Sequence, residues 1–311
     1  MKWHKKGLIF APSKKHSFCK TRVMVPTPYL INDKVIRLYC GFCDEAGISR
    51  IGYVDVNSEN PSEIINISEK PLLDIGEDGM FDDNGLCPTS IFKKDNKLYM
   101  YYFGFQKGVK IPFYMFSGLA ISEDNGNTFE RIQRTPILDR SNKEPLMRSG
   151  PFVLYDDSEN NFKVWYPCGV KFINICNKKV HTYSVNYLES KDGINWGREG
   201  KAVLLPQNED EYGFGRPFII KKNHNLYKFF YSIRTKSKGY RLGYAESTDG
   251  IDWVRKDHLM QINIGKNGWD SEMICYCSPF KYKDKIYLFY NGNNLGATGF
   301  GYAELERTEL W

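Results

Sequence analysis

Five copies of one sequence unit run the length of this chain. Each opens with a proline and a short apolar segment, passes through a charged turn, and continues as an aromatic-rich segment. The copies are PYLINDKVIRLYCGF (28–42), PTSIFKKDNKLYMYYFGF (88–105), PFVLYDDSENNFKVWYPC (151–168), PFIIKKNHNLYKFFYSI (217–233) and PFKYKDKIYLFYNGN (279–293). Their first prolines recur at intervals of 60 to 66 residues, so five units account for the 311 residues present. A fixed long period marks a repeat architecture, in which each unit buries its apolar faces against its neighbours.

Each unit goes on to a third strand closed by a tight turn, as in GLAISEDNGNTF (118–129), NYLESKDGINW (186–196) and GYAESTDGIDW (243–253). The first matches the S-x-D-x-G-x-T-aromatic Asp-box pattern of propeller blades, and the other two are one residue shorter. Asp bonds its own backbone in such a turn and Gly accepts positive φ, so these residues are expected to make hairpins and not a ligand site. The last copy ends on GYAELE (301–306) with no fourth strand after it. The N-terminal WHKKGLIF (3–10) resembles WVRKDHLMQI (253–262), the expected fourth strand of copy four. The predicted fold is therefore all-β, a single five-bladed propeller over residues 1–311 whose ring is closed by the N-terminal strand completing the last blade. Closure of that kind leaves only short, protected edges.

Composition agrees with strands. Aromatic residues make up 15% of the chain, and such side chains fit a pleated, half-buried surface. The net charge of +6 is spread over turns such as Lys93-Lys94, Lys221-Lys222 and Lys281–Lys285, which predicts a solvated surface without a nucleic-acid face. No segment approaches the ~20 apolar residues of a membrane helix, and the start has no signal-peptide core. Cys40 and Cys43 form a C-x-x-C with no second pair at zinc spacing, and the five histidines are dispersed. No metal cluster or cofactor is expected, a lone channel calcium being left open, and the eight cysteines are expected as reduced, mostly buried thiols of a cytoplasmic protein.

In a propeller, the segments leading into the innermost strands converge on one mouth of the channel. They carry Arg22 before blade one, Asp82 and Asp83 before blade two, and Glu144 and Arg148 before blade three. Glu211 and Arg216 precede blade four, and Asp270 and Glu272 precede blade five. The loops between second and third strands add Asp44, Arg234, Asn291 and Asn293. Charges there are costly unless paired or facing a wet pocket, so the alternatives are a plug of salt bridges and a polar binding site. Carboxylates facing one another across a pocket suit glycosidic bond cleavage, one as acid and the other as base or nucleophile. Asp82, Asp83, Glu211, Asp270 and Glu272 are the candidate catalytic groups. Arg22, Arg148, Arg216 and Arg234 are candidates for an anionic group, since a guanidinium fork matches carboxylate or phosphate. Asp44, Asn291 and Asn293 are candidate hydroxyl partners, and Trp269 either stacks on a sugar or packs.

The DG-x-x-W turns, the FDDNG loop, the GRP segment and the GWDSEMI…YNGN stretch resemble the five-bladed-propeller glycosidase superfamily of arabinanase/xylosidase-, invertase- and mannoside-phosphorylase-type enzymes. The likeness is greatest to a glycosidase-like subgroup associated with bacterial surface-polysaccharide genes. It covers essentially the whole chain. Arabinanase-type members carry an Asp in blade one, an Asp before blade two and a Glu before blade three. Here Arg22 stands at the first position, Asp82 or Asp83 matches the second, and Glu144 lies four residues before Arg148 at the third. The resemblance implies a glycosidase-like enzyme that cleaves or transfers a glycosyl group on an anionic or activated sugar in bacterial surface-glycan metabolism. Its partner is a small sugar or glycan, including anionic or nucleotide-linked ones. The alternatives are a non-catalytic carbohydrate-binding propeller, an inverting glycoside phosphorylase, and a scaffold that uses its rim for protein partners.

Overall fold

The alternation of apolar and polar residues in each repeat folds into a four-stranded antiparallel sheet, and five such sheets form a ring. The computed structural model describes residues 1–307; residues 308–311, the end of the expected domain, lie outside the described residues. From the channel outward, blade one is Arg22–Asn32, Val35–Cys43, Ser49–Asn57 and Ile64–Ile67. Blade two is Leu86–Lys94, Lys97–Lys107, Phe113–Ser122 and Glu130–Arg131. Blade three is Phe152–Asp156, Asn161–Ile175, Lys178–Ser190 and Lys201–Leu204. Blade four is Glu211–Asn223, Leu226–Thr235, Arg241–Ser247 and Val254–Arg255. Blade five takes Cys275–Tyr282, Lys285–Asn291 and Phe300–Leu305 from the end of the chain and Trp3–Phe10 from its start. Trp3 pairs with Leu305 and Phe10 with Phe300, so the ring closes as the repeat predicts.

The core lies between blades. Five clusters of buried side chains stand one at each junction, for example Tyr39 and Ile51 against Leu98 and Met100, and Phe289 and Tyr302 against Ile36 and Leu38. Second-strand side chains tie blades one, two and three each to the Asp-box turn of the next blade. Tyr39 donates to the Gly126 carbonyl at 3.3 Å, Tyr101 to Gly193 at 3.0 Å, and the Trp165 indole to Gly250 at 2.7 Å. A Cβ on Gly126, which sits at φ +86°, would collide with the Tyr39 hydroxyl, so the turn needs glycine for both reasons.

One expected strand is shorter than predicted. Residues 253–262 supply only Val254–Arg255 before a 3₁₀ turn at Asp257–Leu259. The Asp257 carboxylate causes the turn: it accepts from the Tyr231 hydroxyl at 2.7 Å, the Tyr244 N–H at 2.9 Å and Arg255 at 2.6 Å, which draws the chain inward. Cys43 of the C-x-x-C is the last residue of its strand.

A second device repeats inside the blades. A buried second-strand tyrosine donates to a carboxylate, and a cation pairs with the cluster. In blade two, Tyr102 and Arg131 hold Asp82 at 3.1 and 2.8 Å. In blade three, Tyr166 and Arg148 hold Glu144 at 2.8 and 2.6 Å. In blade four, Arg255 grips Glu211 through two bonds of 2.7 and 2.8 Å beside the Tyr231–Asp257 pair. In blade five, Tyr290 and Lys5 hold Asp270 at 3.0 and 2.6 Å. Arg131, Arg255 and Lys5 lie on outermost strands, so each of those pairs stitches the approach to an innermost strand onto the blade's far edge.

Two outcomes follow from this packing. Deleting residues 1–10 removes a strand of blade five and its Lys5–Asp270 pair, and should lower Tm by about 10 °C or more or cause aggregation. A monomeric truncation with unchanged melting, by size exclusion and calorimetry, would show that closure contributes little. Burial opposes the charged form of Glu211, but Arg255 and the Gln207 N–H outweigh it and hold the carboxyl below its usual range. A depressed folded pKa stabilises above the unfolded value and is lost as pH falls through the folded one. Glu211→Gln should therefore cost at least about 3 °C of Tm at pH 7, with the gap to the parent protein closing as pH drops below about 4. A gap independent of pH would assign the loss to shape and not to charge.

Candidate functional site

The innermost strands are irregular at one shared height. Their pairing with the second strand slips between Met24 and Thr27, Pro88 and Ser90, Gly215 and Phe218, and Cys275 and Ser278. Val25, Gly150, Arg216 and Tyr276 adopt left-handed backbone there, at φ of 59°, 62°, 47° and 55°. Such bulges re-aim side chains, and a β-branched or bulky residue at positive φ persists only where its surroundings over-determine it. All four residues line a cavity of about 460 Å³ at one end of the channel, to which every blade contributes.

The wall has two chemical characters. Its cations are Arg22, Lys107, Arg216 and Arg234, and no Asp or Glu side chain lines it among the described residues. None of these four cations forms an ion pair among the described residues. The remaining wall mixes aliphatic and small residues with a set of aromatic rings, Phe103, Phe105 and Phe113 from blade two, His181 and Tyr183 from blade three, and Tyr240 and Tyr276 from blades four and five.

Arg216 forms the floor. Only 4% exposed, its guanidinium donates to the Thr27 hydroxyl at 2.8 Å and the Cys277 carbonyl at 3.2 Å, with Pro26 O at 3.4 Å. Burial among neutral oxygens pushes its pKa down to about 10. Beyond it, Thr27, Ser90, Phe152 and Phe218 border a second cavity of about 560 Å³ on the far stretches of the same innermost strands. Arg234 donates to the His181 carbonyl at 2.9 Å and lies 4.4 Å from the Tyr212 ring and 4.9 Å from that of Tyr183. The Nε atoms of Arg216 and Arg234, Nδ1 of His181 and the Tyr183 hydroxyl are buried without a hydrogen-bond partner. Native interiors hold few such atoms, and four around one cavity point to a ligand.

The structure brings three of the expected residues to this cavity: Arg22, Arg216 and Arg234. The others lie elsewhere. Asp82, Glu211 and Asp270 are the carboxylates of the blade-stitching pairs described above: a tyrosine and a cation hold Asp82 and Asp270 within their blades, and Arg255 with the Gln207 N–H holds Glu211. Arg148 is likewise spent on Glu144. Asp83 is half-buried and caps its own loop, accepting from Gly79 N at 2.9 Å and Asn84 Nδ2 at 2.8 Å. Glu272 is exposed. Asp44 pairs with Arg50 at 2.7 Å. Trp269 stacks on Tyr290 at 5.0 Å, so it packs. Asn291 is fully buried, accepting from the Val25 N–H and donating to the Val23 carbonyl, both at 2.7 Å. Asn293 accepts from Glu272 N at 2.8 Å and shapes that loop.

Sequence reasoning missed the aromatic wall. Its signal was the long hairpin of blade three, Asn161–Ile175 with Lys178–Ser190, which accounts for the widest interval between repeat prolines and carries His181 and Tyr183. No cluster of three or more His, Cys, Asp or Glu suited to a metal ion occurs among the described residues.

No family model matches the chain. Among solved structures, a protein named Glycoside hydrolase superposes with a TM-score of 0.74 at 20% identity, covering 97% of this chain and 90% of that one. A thermostable family-43 glycoside hydrolase gives 0.69 at 15% identity, covering 95% and 91%. The endo-arabinase of Bacteroides thetaiotaomicron gives 0.64 at 14% identity, covering 96% and 98%. At such identities the likeness is one of fold. In sequence, Uncharacterized protein Rv1502 of Mycobacterium tuberculosis is 30% identical over 306 residues, 98% of this chain and 100% of the relative. The protein MT1551 of a second Mycobacterium tuberculosis strain matches to the same extent. With near-complete coverage on both sides, the chain belongs to the family of the mycobacterial protein Rv1502, and it carries the five-bladed propeller fold of the glycoside hydrolases.

Proposed function

We propose that this chain binds an anionic sugar or glycan at the cationic end of its channel, without the paired-carboxylate chemistry of glycoside hydrolases. The observation that carries this reading is the cavity wall itself, with four cations and, among the described residues, no carboxylate. A buried, unpaired guanidinium costs several kcal/mol, and an anionic ligand offsets that cost at Arg216 and Arg234. Hydrolysis by acid and base needs two carboxyl groups flanking one bond, about 5–9.5 Å apart. Three of the five candidate carboxylates, Asp82, Glu211 and Asp270, are paired with cations inside the blades, and Glu272 is exposed. Of the alternatives to hydrolysis, a non-catalytic sugar-binding propeller therefore has the stronger support.

A catalytic reading keeps one foothold. Asp83 is half-buried beside Asn84, and Asn84 lines the cavity. A role in surface-glycan metabolism remains part of the proposal and rests on the family resemblance. A cytoplasmic setting is supported by eight free cysteines, seven of them buried. No helix among the described residues is long and apolar enough to cross a membrane.

Calorimetric titration with uronic acids and sugar phosphates, against neutral sugars of the same size, tests the reading. Arg234→Ala should weaken the anionic ligand about tenfold to a hundredfold and leave a neutral one nearly unchanged. Asp83→Asn and Glu272→Gln should bind within about threefold of the parent protein. Turnover of any glycoside that falls by about a hundredfold or more in Asp83→Asn would replace the binding reading with the catalytic one.

A further inference from the structure

The side of the cavity formed by blades two and three is built from rings set against one another. Phe105 meets Phe103 at 5.1 Å and Phe113 at 5.5 Å between centroids. Phe113 meets His181 at 5.2 Å, and His181 meets Tyr183 at 4.3 Å. The interplanar angles run from 59° to 87°, so neighbouring rings alternate face and edge. A further flat ring can lie in such a strip with its face on one ring and its rim toward the next.

The rim finds polar partners there. His181 and Tyr183 are each 5% exposed, and Nδ1 of the first and the hydroxyl of the second lack hydrogen-bond partners. Burial and the nearby Arg234 push the His181 pKa down to about 3, so its imidazole stays neutral and offers one donor and one acceptor. Among the polar groups on the wall, one N–H of the Asn84 amide and the Thr89 hydroxyl are already engaged, with Asp83 at 2.8 Å and the Tyr101 carbonyl at 3.0 Å.

We infer that the anion taken at this end of the channel is a nucleoside phosphate, free or as the activated half of a nucleotide-linked sugar. Its base lies among Phe105, Phe113 and His181, and its phosphate on Arg216 and Arg234. A nucleobase supplies the π-face for the rings and a rim of amide donors and acceptors for His181 and Tyr183. A phosphate supplies the negative charge and the paired acceptor oxygens that match the guanidinium forks. The inference rests on the anion-binding reading and narrows its ligand class.

Calorimetry on the full chain with the ribonucleoside monophosphates, UDP-glucose, ribose 5-phosphate and glucuronate separates the parts. At least one nucleotide should bind about tenfold or more tightly than ribose 5-phosphate. Phe113→Ala should abolish that advantage while leaving ribose 5-phosphate unchanged, and Arg234→Ala should weaken both. Phe113→Leu, which keeps most of the volume, is the second variant if the alanine form does not fold. UDP-glucose binding more tightly than UMP assigns a nucleotide-linked sugar, and equal affinity assigns the free nucleotide. If ribose 5-phosphate or glucuronate binds as tightly as every nucleotide, or if the Phe113 variants keep the nucleotide advantage, the inference falls and the anion reading stands. If no anion binds, both fall.

Discussion

Everything in this molecule depends on the antiparallel pairing of its first strand with its last. Trp3–Phe10 and Phe300–Leu305 are joined through the register from Trp3–Leu305 to Phe10–Phe300, and that pairing turns an open row of sheets into a ring. The apolar surface lies at five junctions, and each junction needs both of its blades. With the ring open, two faces rich in aromatic side chains would meet water. Closure also creates the channel, because only a complete ring brings five innermost strands around one axis. The cavity at its mouth draws residues from all five blades and exists in none of them alone.

The pairs inside the blades explain the sign of the site. Each of four blades uses a buried carboxylate, a second-strand tyrosine and a cation to fasten its parts, at Asp82, Glu144, Glu211 with Asp257, and Asp270. The tyrosines are held protonated, because burial and the adjacent carboxylate both raise their pKa, so each stays a donor. This arrangement takes Asp82, Glu211 and Asp270 into the blades, while Arg22, Arg216 and Arg234 keep no acidic partner among the described residues. An end of the channel that looks mixed in sequence is therefore positive in space.

The same distinction decides what was legible beforehand. Repeats, hairpin turns and closure were readable because prolines, Asp-Gly turns and aromatic strands are local signals that recur. Arg216 was readable as well, since it stands directly before Pro217, where the bulge aims it along the axis. Glu211, six residues before the same proline, begins the strand too far from the bulge, and its partner Arg255 lies 44 residues later. Asp270 is fastened by Lys5, 265 residues away. Nothing local in the sequence distinguishes a carboxylate aimed at the channel from one reaching the far edge of its own blade. Three candidate carboxylates, Asp82, Glu211 and Asp270, became stitching for that reason.

Asn291 shows how the misplaced residues still serve the site. Val25 holds a left-handed backbone that costs a β-branched residue on the order of 1–3 kcal/mol, and its bulge breaks the ladder with the second strand. The Asn291 amide, from blade five, restores both missing bonds by accepting from Val25 N–H and donating to the Val23 carbonyl at 2.7 Å each. In blade four, Ser232 does the same for the left-handed Tyr276 of blade five, accepting from its N–H at 2.8 Å. In both cases the strain at the cavity wall is met by a side chain of the adjoining blade, so it is supported only while the two blades stay packed together. The cavity's shape is thereby a property of the ring, and a ligand that binds there meets cations and rings whose positions have already been fixed by folding.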